Sequence, residues 1–420
     1  MVSIRAFRAV RPDPAQADQI VSVPYDVLDR EEARAMADGN PVSFLRVVRS
    51  DLEFPDTVSQ YDDQIYARAK ENLEKFIANG NLVQESEDCL YIYRLNRGDH
   101  QQTGLVAASA IDDYLNDAIK KHEFTRPEKE KDRTTHIDRL SANTGPVFLL
   151  YRSAEQAEIA RIMDGHADAN QPLYDVSFDD GVRHRVYPVP PGDLQQQLLE
   201  LFAKLKATYI ADGHHRAASA NSIGRKRRES AGGSATGEEL FNFFLTVIFP
   251  DDQMAILPYN RAVKDLNGLS REDFLEKVKT NFSVKAGGKK NDPGVHELNM
   301  YLSDGKGGGE WFALQANENT YAGADEINSL DVSVLQNHLL SPLLGIADPR
   351  TSDRIIFVGG IRGDEELERL VNGGKFAVAF AMPPVTTGQL LDVADAGKVM
   401  PPKSTWFEPK LRSGFLVHRF

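Results

Sequence analysis

Ala-Asp-Gly-His-His-Arg, residues 211–216, decides how this chain is read. A β-type run, Ala207 to Ile210, precedes it, and a helix-compatible segment, Ala217 to Ser222, follows. An acid, a glycine, two imidazoles and a guanidinium therefore stand where a strand turns into a helix. A helix start presents backbone N–H groups with no intrahelical acceptor, together with the positive end of the helix dipole. Phosphate binds at such a place. Gly213 lets a ligand approach the main chain closely, and Arg216 carries the fork that grips phosphate with two hydrogen bonds. The plainer alternative is a solvated helix start with Asp212 as its N-cap.

Three further stretches carry candidate chemistry. His122-Glu123-Phe124-Thr125 leads into Lys129, Lys131, Asp132 and Arg133. Cations and hydroxyls suit a polyphosphate, and carboxylates suit its Mg²⁺. Over Glu128 to Asp132 the alternation of Glu and Lys reads instead as a solvated helix face with local ion pairs. Val23-Pro24-Tyr25-Asp26-Val27 places Asp26 to orient a substrate amine and Tyr25 to stack on a flat ring, or it is a plain turn. Pro258-Tyr259-Asn260-Arg261 has the same flavour, and Asn260 and Arg261 suit a carboxylate or phosphate. Met400 to Lys410 is stiffened by three prolines and therefore ordered. Within it Lys403, Ser404 and Thr405 form an anion clamp, or the loop simply packs on Trp406 and Phe407.

The Asp-Gly-His-His-Arg string resembles the phosphate-binding signature of the ParB/sulfiredoxin superfamily. That group includes partitioning nucleotide hydrolases, sulfiredoxins and kinases that phosphorylate free serine; the kinases match it as Asp-Gly-x-x-Arg. Over nearly its full length the chain resembles a large uncharacterised bacterial family, a domain of unknown function. The residues behind that likeness are the signature, Val23 to Val27, His122-Glu123, and Pro402-Lys403-Ser404-Thr405. The resemblance implies a ParB/sulfiredoxin-like phosphate-binding core. It also implies ATP or ADP with Mg²⁺ as cofactors. The chain is longer than the kinases, and their catalytic glutamate has no local motif here.

Composition narrows the alternatives. Lys and Arg total 49 against 62 Asp and Glu, a formal net charge of −13. That balance argues against a broad nucleic-acid surface. The one basic cluster, Arg225 to Arg228, reads as a solvated helix end before the Ser/Gly-rich stretch Ser230 to Gly237. Cys89 is the single cysteine, so no internal disulfide or cysteine-rich metal site forms, and a buried thiol is expected. His214 and His215 are adjacent, so their side chains diverge from any shared metal, and no His-Glu-x-x-His pattern occurs. No apolar stretch is long enough to span a membrane. The start, Met1 to Pro12, lacks the apolar core of a signal peptide. A cytoplasmic protein is expected.

A chain of 420 residues exceeds one typical core. Strand and helix signals intermix, which predicts a mixed α/β (α+β) fold rather than a regular doubly wound sheet. Three lobes are expected: an amino-terminal one over 1–111, a central one over 112–250 with the phosphate turn, and a carboxy-terminal one over 251–420 with the Pro-Lys-Ser-Thr loop. The expected strands include Val21 to Leu28, Phe44 to Val48, Val182 to Val189 and Phe241 to Phe249. The expected helices include Arg30 to Ala37, capped by Asp29, and Gln60 to Asn79, closed by Gly80.

The phosphate-binding motifs suit a nucleotide-dependent kinase acting on a small-molecule hydroxyl, and the resemblance implies free serine or a similar hydroxylated metabolite as its acceptor. Asp212, His214, His215 and Glu123 are its expected catalytic residues, with Asp212 also the Mg²⁺ ligand. Gly213, Arg216, His122, Arg133, Lys403, Ser404 and Thr405 are expected to hold the nucleotide, and Tyr25, Asp26, Asn260 and Arg261 the substrate. The competing reading is a nucleotide- or phosphate-binding regulator with little or no turnover. The expected partners are the nucleotide and the small-molecule substrate, with no membrane and no nucleic acid.

Overall fold

In the computed structural model, which describes residues 1–289 and 293–420, the chain forms two compact units. Residues Met1–Met254 and Pro409–Phe420 build the first, and Ala255–Glu408 the second. Both combine sheet with helix, so the protein is mixed α/β as expected.

The first unit is built on a nine-stranded sheet. Its strands are β1 Ile4–Arg5, β2 Leu90–Arg97, β3 His100–Ala110, β4 Ile119–Lys120, β5 Val147–Tyr151, β6 Tyr174–Ser177, β7 Val182–Val189, β8 Thr208–Asp212 and β9 Phe243–Pro250. They lie in the order β4-β8-β5-β9-β3-β2-β7-β6, with β1 on β3. The β4/β8 and β5/β9 pairs are parallel and the others antiparallel. Because β3 pairs with β9, residues on both sides of position 111 share this sheet.

The helices that matter here are α1 Arg30–Ala37, α2 Asp63–Ala78, α3 Pro127–Leu140, α4 Gln156–Ala169, α5 Asp193–Phe202 and α6 His214–Ala231. One core cluster joins Ile159 and Met163 of α4 and Leu198 and Phe202 of α5 to Ile92, Leu149 and Ile210 of the sheet. A second joins Leu73 and Phe76 of α2, Leu140 of α3, and Val417 from the returning carboxy-terminal segment. Each such side chain contributes about 1.5–3 kcal/mol on burial.

Local signals account for several elements. Asp29 caps α1 through the Glu32 amide, and Glu32 returns the bond to the Asp29 amide, the reciprocal capping box. Cys89 is buried. Elsewhere tertiary packing overrides the expectation. Val21 to Leu28 is not a strand: only Ser22 bridges, to Ser413, and the chain then turns, Val27 donating to the Pro24 carbonyl. Pro24 has no N–H for a ladder. Phe44 to Val48, expected as strand, is helical from Leu45 to Val48. Its residues are almost all buried, and burial on every side erases the periodicity that separates strand from helix. The helix after the signature runs to Ala231, well past Ser222. Asp132 does not lie on a solvated face; it is 6% exposed and receives the Tyr66 hydroxyl and Arg133. In the basic cluster, Lys226 pairs with Asp138 and Arg228 with Asp112, which neutralises part of its charge.

The second unit carries a six-stranded antiparallel sheet of β10 Tyr259–Val263, β11 Phe282–Ala286, β12 Glu297–Ser303, β13 Gly309–Ala316, β14 Ile355–Gly359 and β15 Val378–Ala381. The order is β11-β13-β12-β15-β10-β14. Among the described residues no helix is long and apolar enough to cross a membrane.

Candidate functional site

The signature lies where β8 gives way to α6. β8 pairs with β5 through an irregular register between Ile210 and Asp212. A bulge of this kind re-aims the side chains beyond it. Gly213 then takes φ +97°, a left-handed conformation that costs glycine little and an L side chain much. The 18-residue helix α6 begins at His214.

Arg216 folds back over that glycine. Its Nη2 donates to Asp212 Oδ2 at 2.5 Å and its Nη1 donates to the Pro146 carbonyl. Its Nε is buried without a partner. Lys410, from the carboxy-terminal segment, donates to the other oxygen of Asp212 at 2.6 Å. Burial alone would raise the pKa of Asp212; Lys410 and Arg216 outweigh it and hold the carboxyl well below its ordinary range. Asp212 is therefore a fixed anion between two cations, with weak proton affinity.

The two histidines hold a loop. His214 Nε2 faces the His122 amide at 3.4 Å, and His215 Nε2 accepts from the Arg126 amide at 3.0 Å. Acceptance at Nε2 assigns the proton of each neutral ring to Nδ1. His214 Nδ1 stands 3.6 Å from Glu123 Oε2. The His122 and His214 rings meet edge to face, centroids 4.5 Å apart. Burial lowers His122 to about 4, against the pull of Asp212. Burial, with His122 adjacent, holds His214 well below 6.5. Burial also lowers His215, with Asp26 opposing. Glu123 differs from this buried group: its side chain is 61% exposed.

Arg216 also lines a small, partly open cleft. Tyr25, Arg133, Asn143, Thr144, Arg216 and Ser413 are among its lining residues. Arg133 lies 4.1 Å over the Tyr25 ring and pairs with Asp132 through Nε and Nη2. Asp26 is exposed.

The structure thus brings His122, Glu123, Asp212, Gly213, His214, His215 and Arg216 together, with Tyr25 and Arg133 joined to them through the cleft. Asn260, Arg261, Lys403, Ser404 and Thr405 belong to the second unit. There the buried Asn260 accepts from the Met382 amide. Arg261 donates to the carbonyls of Tyr259 and Lys403, and burial lowers its pKa to about 10. Lys403 stands 5.1 Å over the Tyr259 ring, and Ser404 donates to the Pro401 carbonyl. Lys410, Asn143, Thr144 and Ser413 were missed from sequence. Lys410 ends the proline-stiffened stretch without being singled out in it, and no local pattern marks the other three; each arrives through strand pairing or chain return. Among the described residues no three His, Cys, Asp or Glu side chains group as a metal site.

A family model described as "Protein of unknown function (DUF1015)" matches residues 4–333. No curated protein matches the chain. Similar solved structures include a C-terminally truncated SbnI from Staphylococcus aureus, at 10% identity and TM-score 0.38, covering 74% of this chain and 87% of that one. A mutant free serine kinase in complex with AMP follows, at 13% identity and TM-score 0.34, covering 74% and 92%. A conserved hypothetical protein from Pyrococcus furiosus shares 14% identity at TM-score 0.33, covering 74% and 94%.

Proposed function

The chain belongs to the DUF1015 family, and from its site we propose that it binds the phosphates of ATP or ADP at the Gly213 turn and transfers a phosphoryl group to a small-molecule hydroxyl. Free serine, or a similar hydroxylated metabolite, is the acceptor in this reading. The observation that carries it is the turn itself. Gly213 at φ +97° opens the amide-lined start of a long helix beside a buried guanidinium that retains an unpartnered Nε. An anion at that start is favoured by the amides and the dipole together.

The roles follow from the geometry. The amides after Gly213 and the Arg216 fork meet the phosphate oxygens. His214 and His215, neutral and hydrogen-bonded to the 122–126 loop, hold Glu123 beside the helix start. Glu123 is the more exposed carboxylate, so it takes the acceptor's proton as the oxygen attacks phosphorus and the bond to the leaving nucleotide breaks. Asp212 positions Arg216 and Lys410. Mg²⁺ fits such a site when it arrives on the nucleotide, neutralising phosphate charge, with one or two carboxylates completing its oxygens. Glu123 and the remaining lone pairs of Asp212 would supply them.

A second reading is a nucleotide-binding regulator with little turnover. The locked Asp212 favours it, because a carboxylate held between two cations is a poor base. One experiment separates the two: incubate the protein with ATP or ADP, Mg²⁺ and pooled amino acids, and look for a phosphorylated product by mass spectrometry. A product supports the kinase; binding by calorimetry without product supports the regulator; no binding rejects both.

A further inference from the structure

We propose that Phe124 is the platform on which the nucleobase stacks, and so the residue by which this site tells a nucleotide from bare phosphate. The proposal rests on the phosphate-turn reading and extends it to the part of the ligand that carries no charge.

The loop His122 to Arg126 contains no helix or strand, yet it is tied at both ends. The His122 amide donates to His214 Nε2 at 3.4 Å, and the Arg126 amide donates to His215 Nε2 at 3.0 Å. Thr125 Oγ1 donates to Glu130 Oε2 at 2.6 Å. Pro127 opens α3 directly behind it, which fixes φ there. Ordering such a loop costs conformational entropy, and an ordered loop gains most by turning its largest apolar side chain inward. This loop does the reverse. Phe124 is 78% exposed, whereas the other exposed large apolar side chains among the described residues, Met1 apart, are 38–52% exposed.

Position selects the occupant. Phe124 stands two residues from each tied amide, so its Cα lies within about 8 Å of the Cα of His122 and of Arg126. Both amides rest on the side chains that begin α6. The ring therefore sits beside the helix start, next along the chain from Glu123. A nucleotide whose phosphates meet the amides after Gly213 carries its base one ribose away from them. An aromatic side chain stacks on the face of any base, because every base has a π-face. Such a pair covers the exposed ring and leaves the polar edge of the base in water. The chain neighbours of Phe124 are Glu123, Thr125 and Arg126. Charged and hydroxylated flanks suit one flat ring better than they suit the broad apolar patch of a protein interface.

The test is calorimetry on the full chain, with ADP and inorganic pyrophosphate as probes and Mg²⁺ present. Phe124→Ala should bind ADP at least about fivefold more weakly than wild type and pyrophosphate with unchanged affinity. Phe124→Tyr, which keeps the ring, should restore ADP binding. Phe124→Trp adds a direct readout: ADP should quench its fluorescence and pyrophosphate should not. Wild-type ADP affinity in Phe124→Ala overturns the stacking role and leaves the phosphate turn standing. Equal weakening of ADP and pyrophosphate also overturns it, because the ring would then serve the loop rather than the base. A wild-type dimer that Phe124→Ala dissociates, with ADP affinity unchanged, assigns the ring to a second copy and likewise overturns it. Binding of neither probe to the wild-type chain removes the phosphate turn and the stacking role together.

Discussion

Arg216 lies across Gly213 so closely that a Cβ built on the glycine would stand 2.9 Å from the arginine Nε. The turn and the guanidinium are therefore one structure: the glycine makes room for the group that returns to hold Asp212. Gly213→Ala adds both that clash and a side chain at φ +97°. It should lower stability by about 1–3 kcal/mol and nucleotide affinity by at least about tenfold. A thermal melt and calorimetry measure the two; a variant with wild-type values in both would reject the turn as the phosphate site.

Glu123 and Asp212 should separate in mutation. Glu123→Gln changes an exposed side chain, so stability should stay within about 0.5 kcal/mol. Nucleotide affinity should also hold, while turnover falls by about 10² or more. Steady-state kinetics beside a melt gives the answer. Normal turnover in this variant would remove Glu123 as the base.

Asp212→Asn, by contrast, leaves Lys410 and Arg216 without their shared anion. The expected loss is about 1–3 kcal/mol, below the cost of breaking a fully buried pair because the Asp212 side chain is 23% exposed. Denaturant melts of Asp212→Asn against wild type would show it. An unchanged midpoint would mean that the two cations find another acceptor.

Acid should destabilise the chain through its neutral histidines. Burial lowers His122 and His136 to about 4, and His214 lies well below 6.5. The unfolded chain therefore binds protons that the folded chain refuses. The stabilisation is fully present above about pH 6.5, and it is lost as pH falls from there towards about 4. Urea melts between these limits should show stability falling with pH, and His122→Gln should flatten the slope. A slope unchanged by that substitution would show that His122 is not among the groups that titrate.

His215→Ala removes the acceptor for the Arg126 amide. The loss should be about 1 kcal/mol, confined to the 122–126 loop. Hydrogen exchange at Arg126 should quicken severalfold while the core strands stay protected. Exchange at the wild-type rate would mean that the loop is held by other contacts.

What the chain spells out locally is what the sequence alone determined. The Asp29 cap, the β7 span Val182–Val189 and the glycine turn at Gly213 each follow from residue types within a few positions, and each was legible. So was the mixed α/β class, from the alternation of periodicities. Tertiary structure decided the rest. Phe44 to Val48 is helical from Leu45, and its near-complete burial left no periodicity from which to read that. Lys410 meets Asp212 across 198 positions, and Ser413 joins Asn143 and Arg133 in one cleft only because the carboxy-terminal segment returns to pair with Ser22, Val10 and Asn143. A charge or hydroxyl carries no mark of a partner that chain return supplies. Local propensity could therefore place the glycine turn, while the ion pairs that lock it and the cleft beside it required the fold.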